Sequence, residues 1–445
     1  MPGVFALCGH RAGDEPYLTR TADLRRRMRR LLNPPEEQSK RLNLREKVAR
    51  IEYCCTGSEF ESSLVLYHAA AALFGYGEAR RRLKLHTPYF LRMTTENAHP
   101  RVYVTNRLSK RGLAQMYGPF PSRAAADRYC DAALDLFKLR RCHEDLQPYP
   151  EHPGCVYQEM KKCLAPCNLA CSPEQYAAEA AAVQAFFDTR GESMMIDIGL
   201  EREEAAAAME FEKAAALHER WHKVKAAAAL ADELVQPIPK LRAAVVQEAA
   251  PVKEKADALE AAVFLLEAGC VAGPERLSTL GVRAVKEQTS VGSSLFAQPL
   301  MLQAVPLEGE VVSEGTEAVA AATVQSPEER ARGVLARLEE KAGSTSDVAM
   351  LSDHLSLLRR WYYRPDKQRK GEVFFQNVNH EWPVRRILRG AARMVLGEPT
   401  VMAETNREGA AEAEVRILHE GREGVERVVP VVKRKTKSGD APVQN

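Results

Sequence analysis

The feature that most restricts the fold of this chain is a cluster of cysteines near its middle. Six of the ten cysteines in the 445 residues fall between Cys130 and Cys171, and the stretch "CVYQEMKKCLAPCNLAC" alone holds four. The N-terminal "MPGVFALCGH" is too short and too soon polar for a secretory signal, so we expect a cytoplasmic protein with reduced thiols. Clustered thiols in such a compartment indicate metal or redox chemistry rather than disulfides.

The spacing of these cysteines does not by itself identify a ligand. Cys142, Cys155, Cys163 and Cys167 are 13, 8 and 4 positions apart, with Cys130 and Cys171 in addition. Zinc ribbons usually show tight Cys-x-x-Cys pairs, which are missing here. Irregular spacing is compatible with an iron–sulfur cluster, which needs four cysteine ligands. A zinc site, a cluster and no metal at all are equally open on spacing alone.

Composition and charge limit the class of protein. A hydrophobic content of 45% with 28% charged residues is typical of a soluble globular chain, and the length suggests roughly two to four domains. No run of about 18 apolar residues is present, so we expect no membrane contact. The net charge is only +3, yet between Arg20 and Arg50 eleven Lys and Arg residues stand against four Asp and Glu.

The run "LRRRMRRLL" places arginines above an apolar stripe, as in a helix that packs on a core and presents cations to phosphates. A solvated surface face is the competing interpretation. The candidate DNA-binding residues are Arg25, Arg26, Arg29 and Arg30.

The order of strand-like and helical patterns predicts an α+β protein. "GVFALC" and "EPYLTR" flank a Gly/Asp turn and predict a hairpin, and short strands and helices follow. "VKEKADALEAAVFLLEAG" is interpreted as helical. The predicted units are a small α+β domain, a cysteine-rich module, a helical region, a variable and partly disordered linker, a helix–strand–helix unit and a polar basic tail, at residues 1–97, 98–172, 173–235, 236–345, 346–400 and 401–445.

The cysteine region resembles that of a known family. "MYGPFPSRAAADRYCDAALDLFKLRRC" followed by "CVYQEMKKCLAPC" is similar to the corresponding region of UvrC, a component of the bacterial UvrABC excinuclease, and the resemblance extends over about residues 3 to 225. It implies that Cys142, Cys155, Cys163 and Cys167 hold a [4Fe–4S] cluster, with zinc as the alternative. Cys171 has no counterpart in the family. Residues 240 to 445 show neither the family's RNase H-like nuclease nor its helix-hairpin-helix repeats, so we expect a shortened member.

By the same resemblance the N-terminal domain is a GIY-YIG nuclease with an altered site. Tyr17 is kept, Arg20 stands for the motif's lysine, and Arg27 falls on the catalytic arginine, whereas the first motif tyrosine is Phe5. The helix that should carry a metal-binding glutamate has Leu66 or Tyr67 at that position. Glu61, one turn or so earlier, is a weak substitute, because metal sites tolerate little misplacement.

Such a site needs a tyrosine, an arginine and a carboxylate-bound Mg²⁺ to cleave a phosphodiester. We therefore expect cleavage to be weakened or lost and Mg²⁺ to bind only if the nuclease is active. Tyr17, Arg20 and Arg27 are then remnants of a catalytic site.

The resemblance also implies a partner. "EFEKAAALHERWHKV" is similar to the UVR helix through which UvrC docks on the helicase UvrB, with Phe211, Ala214 and Leu217 as contact residues. Three functions follow: a non-catalytic repair factor that binds UvrB and damaged DNA, an active endonuclease that makes one incision, and an iron–sulfur nucleic-acid-binding protein outside repair.

Overall fold

The computed structural model describes residues 1–11, 13–33, 43–143, 146–251, 259–284, 325–342, 347–365, 368–377, 379–396, 412–419 and 422–430. Helices alternate there with small antiparallel sheets, which confirms the α+β class. The strands are β1 (Gly3–Cys8), β2 (Tyr17–Thr21), β3 (Arg50–Cys55), β4 (Tyr89–Met93), β5 (Val102–Thr105), β6 (Met116–Phe120), β7 (Gln236–Pro237), β8 (Arg242–Glu248), β9 (Glu260–Glu267), β10 (Cys270–Ser278), β11 (Arg283–Ala284), β12 (Glu372–Phe375), β13 (Glu412–His419) and β14 (Arg422–Pro430). The helices are α1 (Leu24–Leu32), α2 (Glu59–Phe74), α3 (Tyr76–Arg82), α4 (Arg123–Leu134), α5 (Val156–Glu159), α6 (Pro173–Thr189), α7 (Glu192–Ala207), α8 (Phe211–Ala228), α9 (Pro327–Lys341), α10 (Val348–Tyr362) and α11 (Val384–Leu396).

The N-terminal sheet has the strand order β2-β1-β3, with the predicted hairpin between β1 and β2. Phe5 and Leu7 of β1 form a small core with α1 on one face. Leu18 of β2 packs on the other face, against the core that contains α2. Because side chains alternate along a strand, the two helices cover opposite faces of this sheet.

The second sheet, of order β5-β4-β6-β7, is packed against α4 and the helices α6 to α8. It does not respect the predicted boundary at residue 97, since β4 and β5 pair as one hairpin across it. The polar stretch "ENAHP" is the turn of this hairpin, so the predicted boundary falls between two paired strands.

The third sheet has the order β10-β9-β8-β12 and corrects two expectations. The segment "EAAVFLLE" is strand β9 instead of a helix, and residues 242–248, 260–267 and 270–278 of the predicted linker are strands of this sheet. Alternate β9 side chains enter separate cores, with Phe264 on the face of α10 and Val263 on the face of α9 and α11. A strand buried on both faces has no polar alternation, so periodicity could not distinguish it from a buried helix.

One core joins the first and third sheets across the sequence. Phe60 of α2 packs against Phe264 of β9 and Trp361 of α10, at ring-centroid distances of 5.4 and 5.2 Å. Beside it, the buried Asp353 of α10 accepts hydrogen bonds from the Tyr67 hydroxyl at 3.0 Å and from Arg80 Nε at 2.7 Å. A buried carboxylate with two such partners is fully compensated, so this contact fixes α10 against α2 and α3.

The third sheet also joins the predicted linker to the predicted helix–strand–helix unit, because β12 pairs with β8. Further on, β13 and β14 pair as an antiparallel hairpin inside the predicted tail, the rest of which lies outside the described residues. Their sequences, "EAEVRILH" and "REGVERVVP", hold β-branched residues between charged ones, which suits a strand. Within the described ranges, no helix is both long enough and apolar enough to span a bilayer.

Candidate functional site

Two of the predicted catalytic residues lie together on the α1 face of the N-terminal sheet. Arg27 Nη2 donates to the hydroxyl oxygen of Tyr17 at 3.2 Å. Asp23 caps α1 by accepting from Arg26 N, which fixes the direction in which the helix leaves β2. Phe5 is buried, with its ring 6.2 Å from that of Tyr17. Its position supplies packing but no second hydroxyl.

The third predicted catalytic residue, Arg20, lies on the other face. In the β1–β2 register Arg20 pairs with Val4, whereas Tyr17 pairs with Leu7, so Arg20 faces α2 and Tyr17 faces α1. There Arg20 Nη1 is 3.0 Å from a carboxylate oxygen of Glu59 and 3.0 Å from the Ser63 hydroxyl. The structure therefore separates Arg20 from the Tyr17–Arg27 pair.

Glu59 is also bound from the C-terminal part of the chain. Arg364 donates to both of its carboxylate oxygens, at 2.5 and 2.9 Å. The hydrogen bond from Arg364, with the added charge of Arg20, lowers the pKa of Glu59 to about 2 against the opposing effect of burial. Nothing near residue 59 in the sequence signals this partner, which lies 305 positions away.

The position expected to hold a metal-binding glutamate has no carboxylate. Leu66 lines a cavity beside Arg20, and Tyr67 is buried with its hydroxyl on Asp353. Glu61, the weak substitute, accepts from Gly57 N at 2.7 Å and is buried at the start of α2, where burial raises its pKa. In the ranges that the structure describes, no three or more His, Cys, Asp or Glu side chains are grouped so that they could hold a metal ion.

The predicted DNA-binding arginines form one exposed surface. Leu24 and Leu31 bury the inner side of α1. The outer side presents the four arginines, and no carboxylate in the described ranges forms an ion pair with them: Arg25, Arg26, Arg29 and Arg30. An unneutralised row of guanidinium groups is suited to phosphate contacts.

The cysteine segment is an irregular loop held between α4 and α6. Cys155 precedes the short helix α5, and Ser172 caps α6 just after Cys171. Leu164 N donates to the Lys138 carbonyl at 3.0 Å, which ties the segment to the chain after α4. Ala165, between two of the cysteines, has φ +54° and is buried. A non-glycine residue in this conformation costs free energy and persists only where its surroundings impose it.

The four predicted ligands lie close enough for their charges to interact, but the structure does not group three of these described cysteines so that they could hold a metal ion. Burial is the main cause that raises the pKa of the Cys163 thiol to about 11, and the charges of Cys155, Cys142 and Cys167 raise it further. Ala165 N donates to Cys163 Sγ at 3.3 Å, which opposes that rise. Burial raises the pKa of the Cys171 thiol, and the nearby charge of Cys167 raises it further.

Comparison with known proteins agrees with this region. Residues 89–186 match the family "UvrC/Cho excinuclease, middle domain". Proteins named UvrABC system protein C are 29% identical over 229 residues in Desulforudis audaxviator, 25% over 217 in Idiomarina loihiensis and 30% over 248 in Acidobacterium capsulatum. These alignments cover 50%, 48% and 52% of this chain. The chain is UvrC-like over half of its length.

The same alignments cover only 36%, 34% and 37% of those relatives, so the chain matches about a third of each. No solved structure matches the chain. The UvrC-like match to the middle domain begins at β4 and ends in α6, and it contains the whole cysteine segment.

In the UvrC-like chain, α7 and α8 form a helical hairpin. The three predicted contact residues on α8 differ in how far they are exposed to solvent. Phe211 is 70% exposed, as a docking residue should be. Ala214 is half-buried, and Leu217 packs against the core between the second sheet and its helices. The sequence pattern misses Met209, at 76% exposure, because it lies just before the helix and outside its periodicity. Exposed apolar side chains in a helical hairpin are typical of a docking surface.

Proposed function

We propose that this chain is a DNA-repair protein that resembles the UvrC component of the excinuclease, binds damaged DNA and a UvrB-like helicase, and has weak or no phosphodiester-cleaving activity of its own. The proposal rests on the N-terminal domain, where the carboxylates of α2 already have partners and the expected metal ligand is missing. Glu59, on the α2 face, is neutralised by Arg20 and Arg364, Glu61 is held by Gly57 N, and Leu66 stands where a metal ligand is expected.

Loss of the carboxylate removes the metal's contribution to cleavage. In such nucleases a bound Mg²⁺ stabilises negative charge on the phosphate and lowers the pKa of the attacking water. The Tyr17–Arg27 pair retains a hydroxyl and a cation, and the described residues include no group of side chains that could hold a metal beside them. An arginine without the metal can still bind a phosphate, which suits a DNA-contacting role.

DNA contact is supported by the exposed arginines of α1. Each neutralised phosphate releases condensed counterions, so affinity should fall steeply with salt concentration. The UvrC/Cho family match adjoins this domain in the sequence, and the relatives' name places them in the UvrABC system.

The cofactor is a proposal that rests on the donor set. Cys142, Cys155, Cys163 and Cys167 form no disulfide and lie in a partly buried loop, close enough for their charges to interact, and the Ala165 N–H donates a hydrogen bond to the Cys163 sulfur. Four thiolates with such a bond are suited to a [4Fe–4S] cluster, in which these residues would be the ligands. Cluster-containing protein purified without oxygen should be brown, with a broad absorption band at about 400 nm. Colourless protein with stoichiometric zinc would instead support the zinc alternative.

The cleavage claim can be tested with a nicking assay on damaged duplex DNA in the presence of UvrA, UvrB and Mg²⁺. We expect no incision by this chain above the level of a reaction without it. Incision that disappears in Arg27→Ala, while the protein keeps its DNA affinity, would establish the alternative of an active endonuclease. The 3.2 Å contact between Tyr17 and Arg27 is the observation that favours that alternative.

The partner claim can be tested by capture of UvrB on immobilised chain. Phe211→Ala should reduce capture with little effect on stability, because the side chain is exposed. Leu230→Ala, another exposed apolar residue beyond the end of α8, is the matched control and should leave capture unchanged. Equal loss in both variants, or no capture by the unaltered chain, would argue for a nucleic-acid-binding role outside repair.

A further inference from the structure

A cavity of about 360 Å³ lies between β2, α2 and α10. Its charged lining consists of four arginines and one glutamate: Arg20, Arg82, Arg360, Arg364 and Glu59. The remaining walls are largely apolar and include Leu66, Phe74, Leu83 and Leu357. The lining therefore carries a positive excess in a half-enclosed space, which is the electrostatic setting of an anion site.

The four arginines differ in how far they are already neutralised. Arg20 and Arg364 share Glu59. Arg82 Nε is 2.7 Å from a carboxylate oxygen of Glu78, and Arg82 Nη2 contacts Glu15. Arg360 donates only to main-chain carbonyls, those of Leu83 and Lys84, and forms no ion pair with a carboxylate in the described ranges.

Arg360 thus keeps a full positive charge at the cavity wall. Burial and the nearby charges of Arg359 and Arg20 lower its pKa, although an arginine stays protonated in any case. Its guanidinium group is held in place by the two carbonyls, so it is oriented before any ligand arrives. A preoriented cation loses less side-chain entropy on binding an anion than a free one does.

We propose that this cavity binds the phosphate group of a nucleotide, with Arg360 as the principal cation and Arg20, Arg82 and Ser63 around it. Guanidinium groups match the oxygen geometry of a phosphate. The cavity is larger than one phosphate needs, and the apolar walls formed by Leu66, Leu83 and Leu357 can cover a sugar or a base. The ligand is therefore a nucleotide, either free or at the end of a DNA strand.

This site is separate from the Tyr17–Arg27 pair. The register of β1 and β2 places Tyr17 on the α1 face, whereas the cavity opens on the α2 face and is closed by α10, which packs on the third sheet. It uses neither the α7–α8 hairpin nor the cysteine segment. Arg360 belongs neither to the Tyr17–Arg27 pair nor to the α7–α8 hairpin, so a change at Arg360 tests nucleotide binding separately from incision and from partner capture.

The test is calorimetric titration of the full chain with 5′-dAMP, deoxyadenosine and inorganic phosphate. Deoxyadenosine lacks the phosphate and should bind at least about tenfold more weakly than 5′-dAMP. Arg360→Gln should weaken 5′-dAMP by a similar factor. Arg81→Gln is the matched control, because Arg81 neighbours Arg82 on α3, pairs with Glu78 and does not line the cavity.

Equal affinity for 5′-dAMP and deoxyadenosine, or unchanged 5′-dAMP binding in Arg360→Gln, would overturn the proposal. If Arg360→Gln does not fold, judged by circular dichroism, Ser63→Ala and Arg82→Gln replace it with the same expected direction. A titration with 5′-phosphorylated and 5′-hydroxyl oligonucleotides then identifies the source. Tighter binding of the phosphorylated strand assigns the cavity to a DNA end, and tighter binding of the free nucleotide assigns it to a mononucleotide, and either result supports a phosphate site.

Discussion

Glu59 is the side chain on which the candidate site depends most directly. It links Arg20 of the first sheet to Arg364, which follows α10. The bidentate contact with Arg364 gives the link a defined geometry, but the carboxylate side chain is 50% exposed. Ion pairs at such exposure are screened by solvent and contribute little, here about 1 kcal/mol or less.

We predict that Glu59→Gln lowers the free energy of unfolding by about that amount at pH 7. The folded-state pKa of Glu59 is about 2, below its ordinary value of 4.5, so its contribution is full above pH 4.5 and is lost as the pH falls toward 2. The difference between the two proteins, measured by urea unfolding, should therefore shrink between pH 4.5 and pH 2. Glu340→Gln changes an exposed carboxylate of α9 as the control. A difference that grows in acid would contradict the assigned role.

Single residues also show what the sequence can reveal about the site. The motif identifies Tyr17 and Arg27, and the structure places them in contact. It also assigns Arg20 to the same site, because a motif records order along the chain and not the face of a strand. Arg360 and Arg364 cannot be found from the sequence at all, since their partners lie near residues 83 and 59. Contacts over such separations are determined by packing of whole elements.

Helix α1 is the element that we expect to carry the DNA contact. Arg26 and Arg30 lie four positions apart and therefore on one exposed face. Arg26→Gln combined with Arg30→Gln should weaken DNA binding and reduce the slope of log affinity against log salt concentration by about 2, since each phosphate contact contributes about 0.9.

Fluorescence anisotropy with a labelled duplex at several salt concentrations measures both quantities. Arg332→Gln, on α9, removes a charge that pairs with Glu328 and serves as the control. An unchanged slope in the double variant would place the phosphate contacts elsewhere.

Strand β9 shows why the sequence predicts some elements wrongly. The hairpin β1–β2 is readable because a turn signal separates two short apolar runs. In β9 the run "AAVFLL" is apolar at every position, because Phe264 and Val263 enter different cores. The sequence of β9 alone does not reveal that helices cover both faces of the sheet, so the apolar run is interpreted as a helix. The fold class is predictable, and the assembly of the third sheet is not.

Across the whole molecule, the first and third sheets share one core and should unfold together. Phe264 is fully buried and contacts Phe60 of α2. Phe264→Ala should lower the free energy of unfolding by about 3–5 kcal/mol. Phe264→Ala should also reduce amide hydrogen-exchange protection in α2, although α2 packs on the first sheet and Phe264 lies in the third.

The matched control is Phe186→Ala, which removes an equally buried ring from the core around α4 and α6. That variant should be destabilised by a similar amount, about 3–5 kcal/mol, and should lose protection first in α4 and α6. Hydrogen exchange followed by mass spectrometry distinguishes the two patterns. Loss of α2 protection in both variants alike would mean that the chain has a single cooperative unit.

The separation of Tyr17 from Arg20 has a consequence for how this protein can change over time. The two residues are an odd number of positions apart along β2, so their side chains lie on opposite faces and the sheet acts as a partition between two chemistries. Substitutions that abolish one side leave the other side's walls untouched. Substitutions that remove catalytic residues from one face of β2 therefore need not change the residues that line a binding pocket on the opposite face.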